Sequence, residues 1–573
     1  MYVPDQKQDA CFLISGGNAP LRLEPNLSGD GVISLGLARG FGQSVSLYDP
    51  VTGLWACGTP PDEGVPLSGR LVMVHDVVQE FERFTLCPVG RTAVPDGVQA
   101  VAARLDQILA LPFDAALPGH LLAGDSAPAP DASPARGGPL LEACFRLLPV
   151  PVQQRFAESV LSDPAAARDL AALFPDDIMC WAGVRELSAW LAARDRPAAP
   201  GPLRLDTRYD DTATVGFGGG YVSLPQAVTA LARQSIQPGK TLAIVATARN
   251  EGIYLLEWLA YHRAIGVEQV FLYTNDNDDG SDELLARLSD AGALCWISST
   301  VGPGGNAQRK AYGHAFGLNP AVLDYRWSLV IDLDEYLAFN SDLFRSATDL
   351  VNWYEAKGAE AVALNWVVLG SAGQARWRDG FIADRFPYSL AAPSVPVKTL
   401  RRSNRFIHSA PHVPWSYRNT PFTFLASDGR PHVPLGDEGG LSHSARPTAQ
   451  FAWINHYFFK STEEYLWKWS RNRGGQATVP GPTTTALTEG FVRSFAEQFE
   501  NRSERAANLR DNAPGFDAEL NRLLALPGVA EAHATVLGRF RDRMQLLIPM
   551  FEAAQGIRDA GPAGEALLST IRG

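Results

Sequence analysis

Cysteines are few and never fall in CxxC spacing: Cys11, Cys57, Cys87, Cys144, Cys180 and Cys295 are scattered along 573 residues. That excludes a zinc ribbon or a disulfide framework, and scattered buried thiols are expected instead. Long apolar runs are also missing, since nothing approaches the roughly 20 residues of a membrane span. Met1 to Asp9 lacks the charged-then-apolar layout of a signal peptide. A cytoplasmic location is the expectation, with peripheral membrane association left open. Positive charge is in deficit, 50 Lys and Arg against 62 Asp and Glu, a net charge of −12. No protein-wide positive field therefore exists to hold nucleic acid. What is present, 46% hydrophobic and 20% charged residues, is the composition of a globular protein several times longer than one usual domain.

The rhythm of the chain changes along its length. Over residues 1–115, short strand-like runs such as Val32 to Leu35, Ser44 to Tyr48 and Arg70 to Val74 alternate with Gly, Pro and Asp, which predicts a small antiparallel sandwich or barrel. Residues 116–139 include GDSAPAPDASPARGGP and are expected to be a linker. Apolar residues at helical spacing (Leu141, Phe145, Leu148; Val184, Leu187, Leu191) predict a mainly helical region over 140–238. From 239 to 478, apolar runs at Leu242 to Ala246, Val270 to Tyr273, Leu294 to Ile297 and Trp327 to Ile331 alternate with helical patterns. This predicts an α/β fold, a mostly parallel sheet flanked by helices. Residues 479–573 are expected to be helical again.

In such sheets ligands bind at the carboxyl ends of strands, where this sequence places its polar clusters. Asp332 and Asp334 follow a buried strand with one residue between them, so a turn there lets both carboxylates reach one hard cation such as Mg²⁺ or Mn²⁺. Asn250 and Glu251 end the first strand and Asn275 and Asp276 the second. Their amides and carboxylates suit a base and ribose, although helix capping is an equal alternative at Asp276 to Asp279 and a lesser one at Asn250.

The segments TARNEGIYLLEWLAYHRAIGVEQVFLYTNDNDDGSDELL, QRKAYGHAF and WSLVIDLDEYLAF, followed by VVLGSAG, ADRF and INHYFFKSTEEYLWKWSRNRG, resemble GT-A glycosyltransferases of the family 2 type, especially the family 92-like branch. The resemblance covers about residues 240–475. It implies a GT-A domain that moves a sugar, with inversion, from a nucleotide diphosphate sugar (a UDP-sugar first) to a glycan or glycoconjugate. It further implies that Asp332 and Asp334 hold Mn²⁺ or Mg²⁺, with His456 as an added ligand, and that Arg249, Asn250, Glu251, Asn275, Asp276 and Asp332 line the nucleotide site. Lys310 is a candidate for phosphate charge, balanced by the alternative of a solvated lysine. Asp384, then Asp379, are candidates for the general base that inversion needs. Trp366, Arg385 and His412 are candidates for acceptor binding, and Trp377 and Trp415 for ring stacking or core packing.

Other readings of these motifs fail on sequence. A haloacid dehalogenase phosphatase needs Thr or Val where Tyr336 stands. A calcium loop starting at Asn275 would put Ala286 where a bidentate Glu is required. His408 and His412 have zinc-helix spacing, but Pro411 and Pro414 oppose the helix and no Glu follows His408. The run Gly216 to Gly220 lacks the context of a nucleotide loop. The competing class is a noncatalytic carbohydrate-binding or scaffold protein with a degenerate transferase fold.

Overall fold

The computed structural model describes the whole chain except residues 5–6, 16–19, 24–26, 31, 40–43, 59–70, 79–81, 86–93, 126–136, 194–202, 215–221, 391–392, 417–419, 437–439, 472–482, 501–503, 507–508 and 573. The glycine run at 216–220, residues 126–136 of the expected linker, and the break at 479–482 lie outside the described residues.

The first strands, Ala10–Ile14, Val32–Arg39, Ser44–Tyr48, Trp55–Gly58 and Leu71–His75, pair in that order as an antiparallel sheet. Its two faces follow from the alternation of side chains along a strand. Cys11, Ile33, Leu35, Leu37, Val45 and Leu47 pack together on one side. Ala10, Phe12 and Val32 face the other way and join the core of the helices Gly137–Arg146, Val150–Ser162, Pro164–Leu173 and Leu224–Ser235. A second sheet does not cover that face among the described residues; helices do. The junction is pinned by a buried ion pair, Arg146 Nη2 to Asp49 Oδ1 at 2.8 Å. The expected linker is helical at its start, Leu117–Asp125, and the next helix begins at Gly137.

The large sheet is built from β1 (Leu203–Leu205), β2 (Lys240–Ala248), β3 (Gln269–Thr274), β4 (Cys295–Ser299), β5 (Tyr325–Val330), β6 (Glu335–Phe339), β7 (Ala361–Val368), β8 (Val397–Arg402), β9 (Phe424–Ala426) and β10 (Ala452–His456). Their order is β6-β10-β7-β8-β5-β2-β3-β4-β1, with β9 also on β7. The run β5-β2-β3-β4-β1 is parallel throughout, while β8 runs antiparallel to β5 and β7, and β6 to β10. The sheet thus takes in β1, from the stretch that the sequence pattern assigned to the helical region.

Parallel strands with both faces covered read as continuous apolar runs, and β2 shows why. Leu242, Ile244 and Ala246 enter one core, with helices α1 (Gly252–Ala264) and α2 (Ser281–Asp290), whereas Ala243 and Val245 enter another, with α3 (Ala307–Gly313). The first of these cores continues without a break through Leu487, Phe495, Val536, Phe551 and Ile571. The C-terminal helices, read from the sequence as a separate region, are therefore one face of the sheet's own packing.

Helix α3 is clamped by the short 3₁₀ helix Thr207–Ala213. The buried ammonium of Lys310 donates to the carbonyls of Asp206 and Thr300, at 2.6 and 2.7 Å, and to Asp210 Oδ1 at 2.7 Å. At Gly313 the two backbones approach so closely that an added Cβ would lie 2.0 Å from the Thr212 carbonyl oxygen. Alanine normally gains about 1 kcal/mol over glycine inside a helix. Here the clash with rigid backbone outweighs that gain, and Gly313→Ala is expected to destabilise the protein by about 2–3 kcal/mol. A lowered urea midpoint checks it; an unchanged or raised midpoint would contradict the packing.

Candidate active site

Register aligns the ends of the first two central strands, Ala248 opposite Thr274. The turns that follow are tied to each other. Asn250 N–H donates to Asn277 Oδ1 at 2.9 Å, Asp278 N–H to Asn250 Oδ1 at 2.8 Å, and Gly252 N–H, at the start of α1, to Asp279 Oδ2 at 3.0 Å. Asn250 and Asp276 both adopt left-handed backbone, with φ of 53° and 46°. Asn and Asp tolerate that region better than most residues, at a conformational cost that surrounding bonds must hold in place. The indole of Trp467 supplies one such bond, donating to the Asn250 carbonyl at 3.0 Å. The acidic turn therefore does cap a helix, through Asp279, and the Asn250 amide is spent on the turn. Arg249, Glu251 and Asn275 face the cavity, whereas Asn250 and Asp276 are not among its walls.

Beyond β5 the chain turns through Asp332, Leu333 and Asp334 into β6. Antiparallel pairing with β10 sets Glu335 opposite His456, and β10 also lies parallel to β7, with Val368 opposite His456. These registers bring imidazole and carboxylates together from residues more than 100 positions apart. His456 Nε2 stands 3.6 Å from Asp334 Oδ2. Lys468, on α4 (Thr462–Ser470), reaches the same oxygen at 2.8 Å, and Lys460 lies 3.8 Å from it. Lys398 on β8 sits between Asp332 Oδ2 at 2.9 Å and Glu335 Oε2 at 3.1 Å. Arg471 holds Glu251 Oε1 at 2.5 Å and donates to the Arg249 carbonyl at 2.8 Å.

The electrostatics follow from burial set against these partners. Enclosure alone would raise Asp334, but Lys468, Lys460 and His456 hold its carboxyl well below the usual carboxylate range. Burial pushes Lys460 down to about 8 against the attraction of Asp334. Burial also lowers Arg249 and His456 and raises Glu251 and Glu335. The Arg249 Nε and Nη1 and the His456 Nδ1 are buried without a hydrogen-bond partner. Such groups are costly to leave unmatched and mark where a ligand belongs.

All this opens on a cavity of about 540 Å³, a size usual for small-molecule sites. Its charged wall carries Arg249, Glu251, Asp332, Asp334, Lys398, Lys468 and Arg471. Its apolar wall is Trp366, Phe458, Trp469 and Phe491, with His412 beside them. Asp332 is the open member of the carboxylate pair, its side chain 35% exposed against 7% for Asp334.

The fit of a divalent ion is judged by these donors. Among the described residues no three His, Cys, Asp or Glu side chains converge as a closed cage. Mg²⁺-type sites rarely have one: they use one or two carboxylates, with waters and substrate phosphates completing the shell. Two hard carboxylates at the cavity, with a partnerless imidazole nitrogen in the ring beside them, fit that kind of site.

Besides Asn250 and Asp276, six residues that the sequence offered for the site are elsewhere. Lys310 is consumed in the α3 clamp. Asp384 is exposed and paired with Arg510 at 2.8 Å, and Asp379 is an exposed residue bonded to its neighbour Gly380. Arg385 is buried between Glu464, at 3.0 Å, and Glu257, at 3.6 Å, where it joins α4 to α1. Trp377 packs on Phe540, and Trp415 lies on the strand Pro414–Ser416; neither lines the cavity. Sequence reasoning missed Lys398, Lys460, Lys468, Arg471 and Glu335. A signal existed for Lys468 and Arg471, which stand three apart within the INHY block and so share one side of a helix.

No protein-family model matches the chain. Curated proteins do: a glycosyltransferase family 92 protein of Oryza sativa subsp. japonica is 23% identical over 278 residues, 46% of this chain and 43% of its own length. One from Ricinus communis is 35% identical over 95 residues, 17% of this chain and 16% of its own, and one from Arabidopsis thaliana 23% identical over 297 residues, 48% of each. The chain thus spans less than half the length of each of these relatives. A solved structure titled as a mycobacterial protein aligns at 10% identity over 31% of this chain and 58% of its own, with a TM-score of 0.18. Together the ordered motifs and these relatives identify the chain as similar to the glycosyltransferase family 92 branch.

Proposed function

We propose that this protein is a glycosyltransferase of GT-A type that moves a sugar from a nucleotide diphosphate sugar to a hydroxyl of a glycan or glycoconjugate. The observation that carries the reading is the cavity at the carboxyl ends of β2, β3 and β5, where four cations (Arg249, Lys398, Lys468, Arg471) stand among three carboxylates (Glu251, Asp332, Asp334), with Lys460 and Glu335 buried behind them. In a chain of net charge −12 this is a local cationic focus suited to a diphosphate. Lys468 and Arg471, with the unpaired donors of Arg249, meet the diphosphate oxygens. Asn275 and Arg249 form the rim for base and ribose. Asp332 and Asp334, with His456 beside them, would hold Mn²⁺ or Mg²⁺. That ion, when bound, stabilises the charge developing on the leaving diphosphate. Trp366, Phe458, Trp469 and Phe491 offer apolar faces to a sugar ring. Inversion is the outcome that the resemblance implies, and it requires a base for the acceptor hydroxyl.

The reading is tested by thermal shift with UDP, GDP, CDP and their sugars, each with and without Mn²⁺. One nucleotide class is expected to stabilise the protein in a metal-dependent way, by about 2.7 kcal/mol at a ligand concentration 100-fold above Kd. Asp332→Asn, which leaves Lys398 paired with Glu335, is expected to remove the metal-dependent part while the fold is kept, whereas Asp334→Asn also lowers stability because Lys460 and Lys468 lose their buried partner. Stabilisation by no pair would favour a noncatalytic scaffold.

A second expectation concerns Asp384. Its ion pair with Arg510 is solvent-exposed, so Asp384→Asn changes stability by about 1 kcal/mol or less. Transfer by this variant is expected to match wild type, and a loss of turnover would return Asp384 to the reaction.

A further inference from the structure

We propose that Nε2 of His412 is the general base that takes the proton of the acceptor hydroxyl. This deepens the transferase reading and rests on it. His412 lies in the turn between the strands Phe406–Ser409 and Pro414–Ser416, closed by a 2.9 Å bond from Ala410 N–H to the Val413 carbonyl. Its backbone carbonyl accepts from Thr399 Oγ1, which fastens the turn to β8. Its Nδ1 is 2.8 Å from the Val397 carbonyl. A carbonyl only accepts, so Nδ1 carries the hydrogen and the lone pair of the neutral ring is on Nε2. The ring lines the cavity, half-buried, edge-on to Trp366 with ring centres 5.5 Å apart, and Nε2 makes no hydrogen bond with the described residues.

The cavity carboxylates are ion-paired, and the unpartnered His456 Nδ1 is enclosed. Glu251 is held by Arg471, Asp332 by Lys398, and Asp334 by Lys468, while His456 turns its Nε2 toward Asp334. His412 stands where the charged wall meets the aromatic one, beside the face that suits an acceptor ring. In the step, the acceptor oxygen bonds to the anomeric carbon of the donor sugar. The bond from that carbon to the diphosphate oxygen breaks, with its electron pair leaving on the diphosphate. The hydroxyl proton passes to Nε2 and then to solvent.

Charge favours the proton's destination during transfer more than before it. Burial lowers His412 to about 4, assisted by Lys398 and His443 and opposed by the bond to Val397 and by Asp332. The ring is therefore neutral and competent at neutral pH. As the diphosphate leaves it gains negative charge, which together with Asp332 stabilises the imidazolium. The sign is fixed: activity rises with pH as His412 loses its proton. The limb in kcat/KM reports the free enzyme, and the limb in kcat falls higher because the bound diphosphate favours the protonated ring.

The test compares wild type, His412→Gln and His412→Ala, using whichever nucleotide sugar from the thermal-shift panel stabilises wild type, and measures release of the nucleoside diphosphate with methyl glycosides as acceptors. His412→Gln is expected to keep metal-dependent stabilisation by the nucleotide, lose turnover by on the order of 10²–10⁴, and lose the acid limb of the pH profile. Added imidazole is expected to restore turnover to His412→Ala. Turnover in His412→Gln equal to wild type, or an acid limb that persists in it, overturns the role of His412 while leaving the transferase reading standing. Absence of nucleotide stabilisation in wild type overturns both.

Discussion

The site depends on keeping one fully enclosed carboxylate ionised. Asp334 lies where β6 meets β10, and an unpaired charge at such a place costs several kcal/mol. The protein meets that cost with three neighbours drawn from separate elements: His456 from the end of β10, Lys460 from the loop after it, and Lys468 from α4. His456 comes to Asp334 through the pairing of β6 with β10, because a shift of one residue would turn Glu335 and His456 to opposite faces. Sheet register and charge neutralisation are thus one constraint seen from two sides. The same logic holds for Lys398, which serves Asp332 and Glu335 together and stays charged in spite of its burial because of them.

Around this centre the structure accepts further local expense. Left-handed backbone recurs at Asn250, Asp276 and Lys460, none of them glycine. The first two stand at neighbouring strand ends, and Lys460 comes four residues after His456, just before Ser461 caps α4 with Glu464 in a capping box. Strain of this kind persists where the surroundings over-determine the backbone, and it concentrates at functional sites. Here it lets a strand end in a cavity-facing residue and the next element begin with its cap already satisfied.

The sequence made the sheet legible because parallel strands carry uninterrupted apolar runs, and the DxD was visible because carboxylates interrupt one of them. The cations were not legible. Lys398 falls in Pro396 to Arg402, a stretch with three other basic or polar residues, and nothing local tells which of them turns inward. Asp384 and Arg385 illustrate the converse. Adjacent in sequence, they are separated by the fold, the aspartate to an exposed pair with Arg510 and the arginine to a buried position between Glu464 and Glu257. Lys310 failed for the same reason, since its partners Asp206 and Asp210 belong to a segment 100 residues earlier that sequence pattern assigned to another region. Partners fix the role of a charged side chain, and partners are set by topology.

The turn after β3 is braced from far along the chain. Arg543, on the helix Val529–Glu552, holds Asp278 Oδ1 at 2.6 Å across 265 residues, and the side chain of Arg539 lies against Gly280. A ribosome adds about 5–20 residues each second, so the brace emerges roughly 13–50 s after the turn it supports. During that interval β2, β3 and their helices lack the C-terminal residues that complete their core, among them Val536 and Phe540, and the strained rim stands without its outer buttress. Completion of the cavity is in this sense a late event in the protein's synthesis, timed by its last long helix.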